Sequence, residues 1–321
     1  RGLAERLEHG GGSLDDVLIV LRGAGVRAPL FCVHPAGGLA WFYGGLAPHL
    51  ADRPIVGLQD PHVVRDEPIA DGVEALAARY VEEIRRMQPS GPYHLLGWSV
   101  GGAIAHAMAA RLESDGARVA YLGIMDAPPG TDPTAFASAA PQRAESEVVA
   151  DLLGGWRALF DLGDDVGATT SADLARIIRE QIAGLGLVPA DQVDRIMESF
   201  DSSARILADY HPPVVGVDID LFTATADKDD PAALAAAWSR YTTATVRSTD
   251  VDTHHLGMAD ADALAVIGPR IAHRLAGGAG ATGSMTTPSS TTRGEHTPDR
   301  PEPDDRTTGA LTTDDPTTDE E

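Results

Sequence analysis

The sequence predicts an α/β fold: a mostly parallel central sheet with helices on both faces and a long helical insertion. Three observations carry that prediction. Short apolar runs alternate with segments of helical period along most of the chain, an order that makes strands parallel and packs the intervening helices on the sheet. One of those runs continues through Gly97-Trp98-Ser99-Val100-Gly101 into the small, helix-favouring segment Gly102–Arg111, so that a strand feeds a helix through one tight turn. Between Pro128 and Pro213 the alternation lapses and only helical patterns remain.

In chain order, residues 1–16 mix charge with Gly10-Gly11-Gly12 and read as an interdomain linker. Ser13 sits in a Gly-Gly-x-Ser-Leu context similar to the attachment site of a carrier protein. The strand-like run starting at Val17 leaves no room for the helices a carrier would need, so Ser13 reads as a linker serine. Strand runs follow at Val17–Leu21, Leu30–Val33, Ile55–Leu58, His94–Leu96, Val119–Met125, Val217–Thr223 and Thr245–Val251. Helical patterns intervene at Leu39–Leu50, Val73–Met87, Ala103–Ser114, Pro231–Tyr241 and Leu264–Leu275. The period is clearest in Val73–Met87, where Val73, Leu76, Ala77, Tyr80, Val81 and Ile84 share one face, as core packing requires.

The insertion, 128–213, shows helical patterns at Glu145–Phe160, Ser171–Leu185 and Asp191–Asp209. A helical excursion of this length between two strands is expected to act as a lid over the functional face. From residue 277 to residue 321 the chain turns to Gly, Thr, Ser, Pro and acid. Such a segment buries too little apolar surface to offset ordering its backbone, so a disordered acidic tail is expected there. The globular domain accordingly spans 17–276.

Composition narrows the function classes. The chain has 321 residues, 43% of them hydrophobic, and a formal charge of −23. That charge argues against a nucleic-acid partner, which requires clustered Lys and Arg. No run approaches 18 uninterrupted apolar residues, so no transmembrane helix and no membrane partner are expected. Cys32 is the only cysteine, which excludes internal disulfides and thiolate metal clusters; within Pro29–Val33 it reads as a small core residue and fits a reducing cytoplasm. Without a His-Glu-x-x-His pattern or a carboxylate cluster, no metal is expected. A start at Arg1 without a leader pattern suggests a piece of a longer chain.

Chemistry concentrates at Ser99. A strand that turns at once into a helix has no space for a Cβ at Gly97 or Gly101, and it lifts the serine hydroxyl above the sheet edge at the positive end of the helix. A hydroxyl is a weak nucleophile until an imidazole takes its proton and a carboxylate holds that imidazole. On this scaffold the partners follow in the order serine, acid, histidine. Two aspartates end strand runs, Asp126 after Tyr121–Met125 and Asp227 after Leu221–Ala226, and position alone does not choose between them. His254 and His255 follow the last strand run, and only one can face Ser99. His34, His49, His62, His94, His106 and His211 read as core or surface histidines. An oxyanion requires two N–H donors. Val100 supplies one, and Ala36 in His34-Pro35-Ala36-Gly37-Gly38 supplies the other, because Pro35 has no N–H.

Pro29–Gly38, Gly91–Gly102, Leu122–Asp126, His255-x-x-Met258 and Ile267-Gly-Pro269 occur in this order. Together they resemble the C-terminal thioesterase domains of nonribosomal peptide synthetases, over roughly residues 17–275. The resemblance implies an α/β-hydrolase fold with a mobile lid. It implies a serine enzyme whose Ser99 takes a peptidyl or depsipeptidyl chain from the phosphopantetheine of an upstream peptidyl carrier domain, with no cofactor bound by this domain itself. It favours Asp126 over Asp227, and the spacing back from Ile267 favours His255 over His254. Release by macrocyclisation, with oligomerisation as an option, is the expectation. Hydrolysis to a linear acid, a free-standing proofreading thioesterase and an inert hydrolase-fold binding module are the alternatives. Nothing in the insertion matches the family residue by residue.

Overall fold

A computed structural model describes residues 16–130, 170, 173 and 190–277. The linker, the tail and the insertion patterns at Glu145–Phe160 and Ser171–Leu185 lie outside the described residues, except for Asp16, Asp173 and Gly277.

Seven strands form one sheet: β1 (Leu18–Arg22), β2 (Leu30–Val33), β3 (Ile55–Leu58), β4 (Tyr93–Trp98), β5 (Val119–Met125), β6 (Ile219–Ala224) and β7 (Val246–Val251). Their spatial order is β1-β3-β2-β4-β5-β6-β7. Every pair is parallel except β1 with β3. Each strand run seen in the sequence is a strand here. β2, β3, β4 and β6 are buried at every residue, as expected where helices cover both faces of a parallel sheet.

Alternation along each strand divides the core in two. Phe31, Val33 and Leu95 face a cluster shared with α2 (Val73–Met87) and α3 (Val100–Ser114). Leu30, Cys32, Leu96 and Trp98 face a second cluster, shared with α6 (Ala261–Gly277). The Cys32 thiol is unpaired and fully buried, and burial pushes its pKa up. The remaining helices are α1 (Pro61–Arg65), α4 (Ala190–Ala208) and α5 (Ala232–Trp238).

The strand order matters for function. The chain moves from β2 outward to β3 and then jumps back to β4 on the other side of β2. The loops after β2 and β4 therefore leave the same sheet edge in opposite directions and open a crevice between them. Ser99 and Ala36 lie on those two loops.

One expected element needs correction. Leu39–Leu50 is not a helix; only Trp41–Leu46 winds, as a 3-10 turn. Gly44 and Gly45 each disfavour an α-helix by about 1 kcal/mol, and Pro48 restricts the residue before it. Conversely, α1 was not expected, although Asp60 caps it by accepting from His62 N–H (3.0 Å) and Pro61 occupies its first turn, a favourable helix start. The helix after Ser99 begins at Val100 rather than Ala103, which leaves no slack in the elbow.

Candidate active site

Ser99 sits between β4 and α3 at φ 57°, ψ −131°, a backbone state that costs a non-glycine residue about 1–3 kcal/mol. The surroundings hold it there. Ser99 N–H donates to the Met125 carbonyl (3.0 Å), and Gly102 N–H donates to the Ser99 carbonyl (2.8 Å). A Cβ on Gly97 would collide with the Gly101 carbonyl, and one on Gly101 with the carbonyls of Val33 and His34. Glycine at 97 and 101 thus lets the first turn of α3, with Val100 at its head, press against the end of β2. Val100 N–H is one of the N–H groups that a helix start leaves without an intrahelical acceptor.

The turn carrying Ala36 is fixed from beneath. Gly38 N–H donates to the Pro35 carbonyl (3.2 Å), with Gly37 and Gly38 at φ 90° and 80°. His34 Nδ1 bonds the same carbonyl at 2.7 Å, and its Nε2 lies 2.7 Å from the Tyr80 hydroxyl. A carbonyl can only accept, so Nδ1 carries the proton and Tyr80 O–H donates to Nε2. Burial pushes the His34 pKa down, against a smaller upward pull from Asp60, which keeps the ring neutral. In a trans peptide C=O and N–H point in opposite directions. Pinning the Pro35 carbonyl toward His34 turns Ala36 N–H the other way. His34, which reads in sequence as an ordinary core histidine, is therefore part of the support of this turn.

Helix α4, the described end of the insertion, also braces the turn. Ser199 Oγ donates to Asp60 Oδ2 (2.7 Å), and Arg195 Nε donates to the Val63 carbonyl (3.1 Å). A Cβ on Gly38 would crowd Val63, Asp60 and Ser199 together.

Asp126 ends β5 at φ 49° and is 3% exposed. Its N–H donates to the Phe222 carbonyl (2.8 Å), and its Oδ1 accepts from Ala224 N–H (3.0 Å). Its Oδ2 accepts from His255 Nδ1 at 2.7 Å, and His255 Nε2 lies 3.1 Å from Ser99 Oγ. Serine, imidazole and carboxylate form one hydrogen-bonded line. Burial works against the Asp126 charge, but the His255 hydrogen bond and charge, together with the Lys228 ammonium, outweigh it and hold the carboxyl below its usual pKa. The Trp98 ring lies 6.0 Å from the imidazole.

His254 turns elsewhere: its Nδ1 accepts from Gly257 N–H (3.1 Å) and starts the 3-10 turn His255–Ala259. Asp227 Oδ2 accepts the backbone N–H of His255 (2.8 Å) rather than its ring. Lys228, absent from the sequence expectations, donates to both Asp126 Oδ2 (2.8 Å) and Asp227 Oδ1 (3.1 Å). Among the described residues no group of three or more His, Cys, Asp or Glu could hold a metal ion, and no helix is long and apolar enough to cross a membrane.

Comparison with known proteins adds to this geometry. The family model described as thioesterase domain matches residues 28–272. The chain is 35% identical over 278 residues to a dimodular nonribosomal peptide synthase of Bacillus subtilis, covering 85% of this chain and 11% of that protein. It is 39% identical over 104 residues to enterobactin synthase component F of Escherichia coli, covering 32% of this chain and 8% of that one. The chain thus spans about a tenth of the length of these relatives. Among solved structures, the Vlm2 thioesterase domain superposes with TM-score 0.60 at 22% identity, covering 80% of this chain and 96% of that one. The NocB thioesterase domain, in covalent complex with a fluorophosphonate nocardicin G analog, superposes with TM-score 0.52 at 25% identity, covering 81% and 100%.

Proposed function

Since the chain belongs to the thioesterase domain family, with the α/β-hydrolase fold and the character of a serine hydrolase enzyme, we propose that it releases a peptidyl or depsipeptidyl chain from a carrier-bound phosphopantetheine thioester. The observation that carries this reading is the line Ser99 Oγ, His255 Nε2, His255 Nδ1, Asp126 Oδ2, with contacts of 3.1 and 2.7 Å on a strained elbow. Similarity to nonribosomal peptide synthases supports that substrate class, and in this reading the partner is an upstream peptidyl carrier domain of the same synthetase.

The chemistry follows from the geometry. Ser99 Oγ attacks the thioester carbonyl while His255 Nε2 takes its proton, and Asp126 holds the imidazole by Nδ1 and stabilises the imidazolium. The carbonyl oxygen becomes an oxyanion that Ala36 and Val100 N–H groups bind, a contribution of about 3–4 kcal/mol per donor in comparable sites. Collapse breaks the C–S bond, the carrier sulfur leaves with the proton from His255, and Ser99 holds the chain as an ester. A second nucleophile then gives its proton to His255 and attacks that ester, which restores the Ser99 hydroxyl. An internal hydroxyl or amine of the chain yields a macrocycle, and this is the release mode we favour on the resemblance to peptide-releasing domains; water as the second nucleophile yields a linear acid. Neither step needs a cofactor bound by this domain.

Intact-protein mass spectrometry with a peptidyl thioester analogue tests the reading. The acyl increment is expected on the native chain and absent from Ser99→Ala; an increment that survives the substitution would overturn it. The product mass from the native carrier-loaded chain separates macrocycle from linear acid, the latter differing by one water.

A further inference from the structure

In sequence, Lys228 sits in Asp227-Lys228-Asp229-Asp230 and looks like part of a solvated charge run. Its side chain is instead only 8% exposed. The ammonium lies between two carboxylates, 2.8 Å from Asp126 Oδ2 and 3.1 Å from Asp227 Oδ1. Asp126 Oδ2 is thus shared between that ammonium and the imidazole of His255, and Asp227 holds the His255 backbone with its other oxygen. Burying a lysine costs hydration and side-chain entropy, which pairing rarely repays in stability alone.

We infer that Lys228 and Asp227 are positioning residues for the reaction: through Asp126, Lys228 lowers the basicity of His255, and Asp227 offsets that effect. The inference rests on the reading of Ser99, His255 and Asp126 given above. The charges near the imidazole make the signs opposite. His255 meets Asp126 from the end of β5, Asp227 and, through Asp126, Lys228 from the loop after β6, and the neutral Ser99 and Trp98 from the elbow. His254 is turned to Gly257 N–H, while Asp229 and Asp230 are exposed, Asp230 capping α5 through Ala232 N–H. The charges on these groups around His255 sum to one net negative charge. Loss of the ammonium leaves two, which favours imidazolium; loss of the Asp227 charge leaves none, which disfavours it. The same contacts also restrain rotation of the Asp126 carboxylate and the placement of the His255 backbone.

The test is the pH dependence of fluorophosphonate labelling of Ser99 in the full chain. Lys228→Met is expected to raise the apparent pKa of labelling by about one pH unit, and Asp227→Asn to lower it by about as much. The double variant returns it close to the parent value. A purely structural role would slow labelling in both single variants without moving the pKa. Unchanged values, or shifts in the same direction, would overturn the inference. If thermal melting shows Lys228→Met unfolded, the near-isosteric Asp227→Asn decides alone: a downward shift supports the inference, and no shift overturns it. Labelling that persists in Ser99→Ala would instead remove the parent reading, so the two failures are distinguishable.

Discussion

Asp126 and Asp227 occupy equivalent corners of the sheet, one just past β5 and the other just past the neighbouring β6, yet the structure uses them differently. Asp126 stands at positive φ, its side chain 1% exposed, with one oxygen fixed by Ala224 N–H and the other turned to the imidazole. Asp227 is 11% exposed and grips the His255 backbone and Lys228. Residue type is the same; the difference comes from the backbone and from position, Asp126 being the first residue after β5 and Asp227 the third after β6. A left-handed backbone at 126, anchored to β6 by the N–H of 126 donating to the Phe222 carbonyl, aims that carboxylate at the ring across the strand end. Asp227 lies deeper into its loop and meets the histidine from behind. An acid at a strand end therefore becomes the imidazole's partner through the turn it stands on.

The largest expected effect would break this contrast outright. Asp126→Asn should slow acylation of Ser99 by about 10³–10⁴-fold, because an amide does not impose the Nδ1–H tautomer. Stopped-flow acylation with a chromogenic thioester measures it, and a larger loss in Asp227→Asn would swap the two assignments.

A second effect sharpens the contrast through stability. Beneath the Asp126 corner, Trp238 Nε1 donates to the Ala127 carbonyl (2.6 Å), and the Trp238 ring packs 4.9 Å from His106. Burial pushes the His106 pKa down to about 4. A folded value below the unfolded one means that the unfolded chain binds the proton more readily, so this stability is present above about pH 6.5 and is lost as pH falls toward 4. His94, also at about 4 chiefly through burial, adds to the same slope. Melting curves should show His106→Gln flattening part of it, on the order of 2 kcal/mol across that window. A slope unchanged by the substitution would detach His106 from this behaviour.

The smallest effect concerns the other corner. Asp227→Asn keeps a side-chain oxygen for the His255 N–H and should cost less than about tenfold in acylation rate at pH 8. A loss as large as that of Asp126→Asn would erase the distinction between the corners.

Much of this was legible in sequence because local signals agreed with the fold. The helix Val73–Met87 has the predicted bounds, since its apolar face repeats at 3.6 residues and faces a single core. The elbow glycines, Ser99 and the pairing of Asp126 with His255 were legible from spacing and resemblance, and the structure brings these groups into contact. Leu39–Leu50 misled because its apolar content comes from packing around glycines rather than from a helical stripe. Lys228 was hidden by its neighbours: one lysine among acids reads as solvated, and only the fold turns it toward Asp126. The role of His34 depends on Tyr80, far away in sequence, and on a carbonyl that no residue pattern encodes.

Gly130, at φ 120°, has no room for a side chain against the Tyr210 carbonyl, which would lie 2.9 Å from its Cβ, with Pro212 beside it. The long excursion thus leaves the sheet and returns to it at a single point. From that point α4 runs to the other side of the crevice, where it holds Asp60 and Val63. A side chain at 130 would therefore disturb the catalytic edge from a distance, through the backbone that carries Asp126.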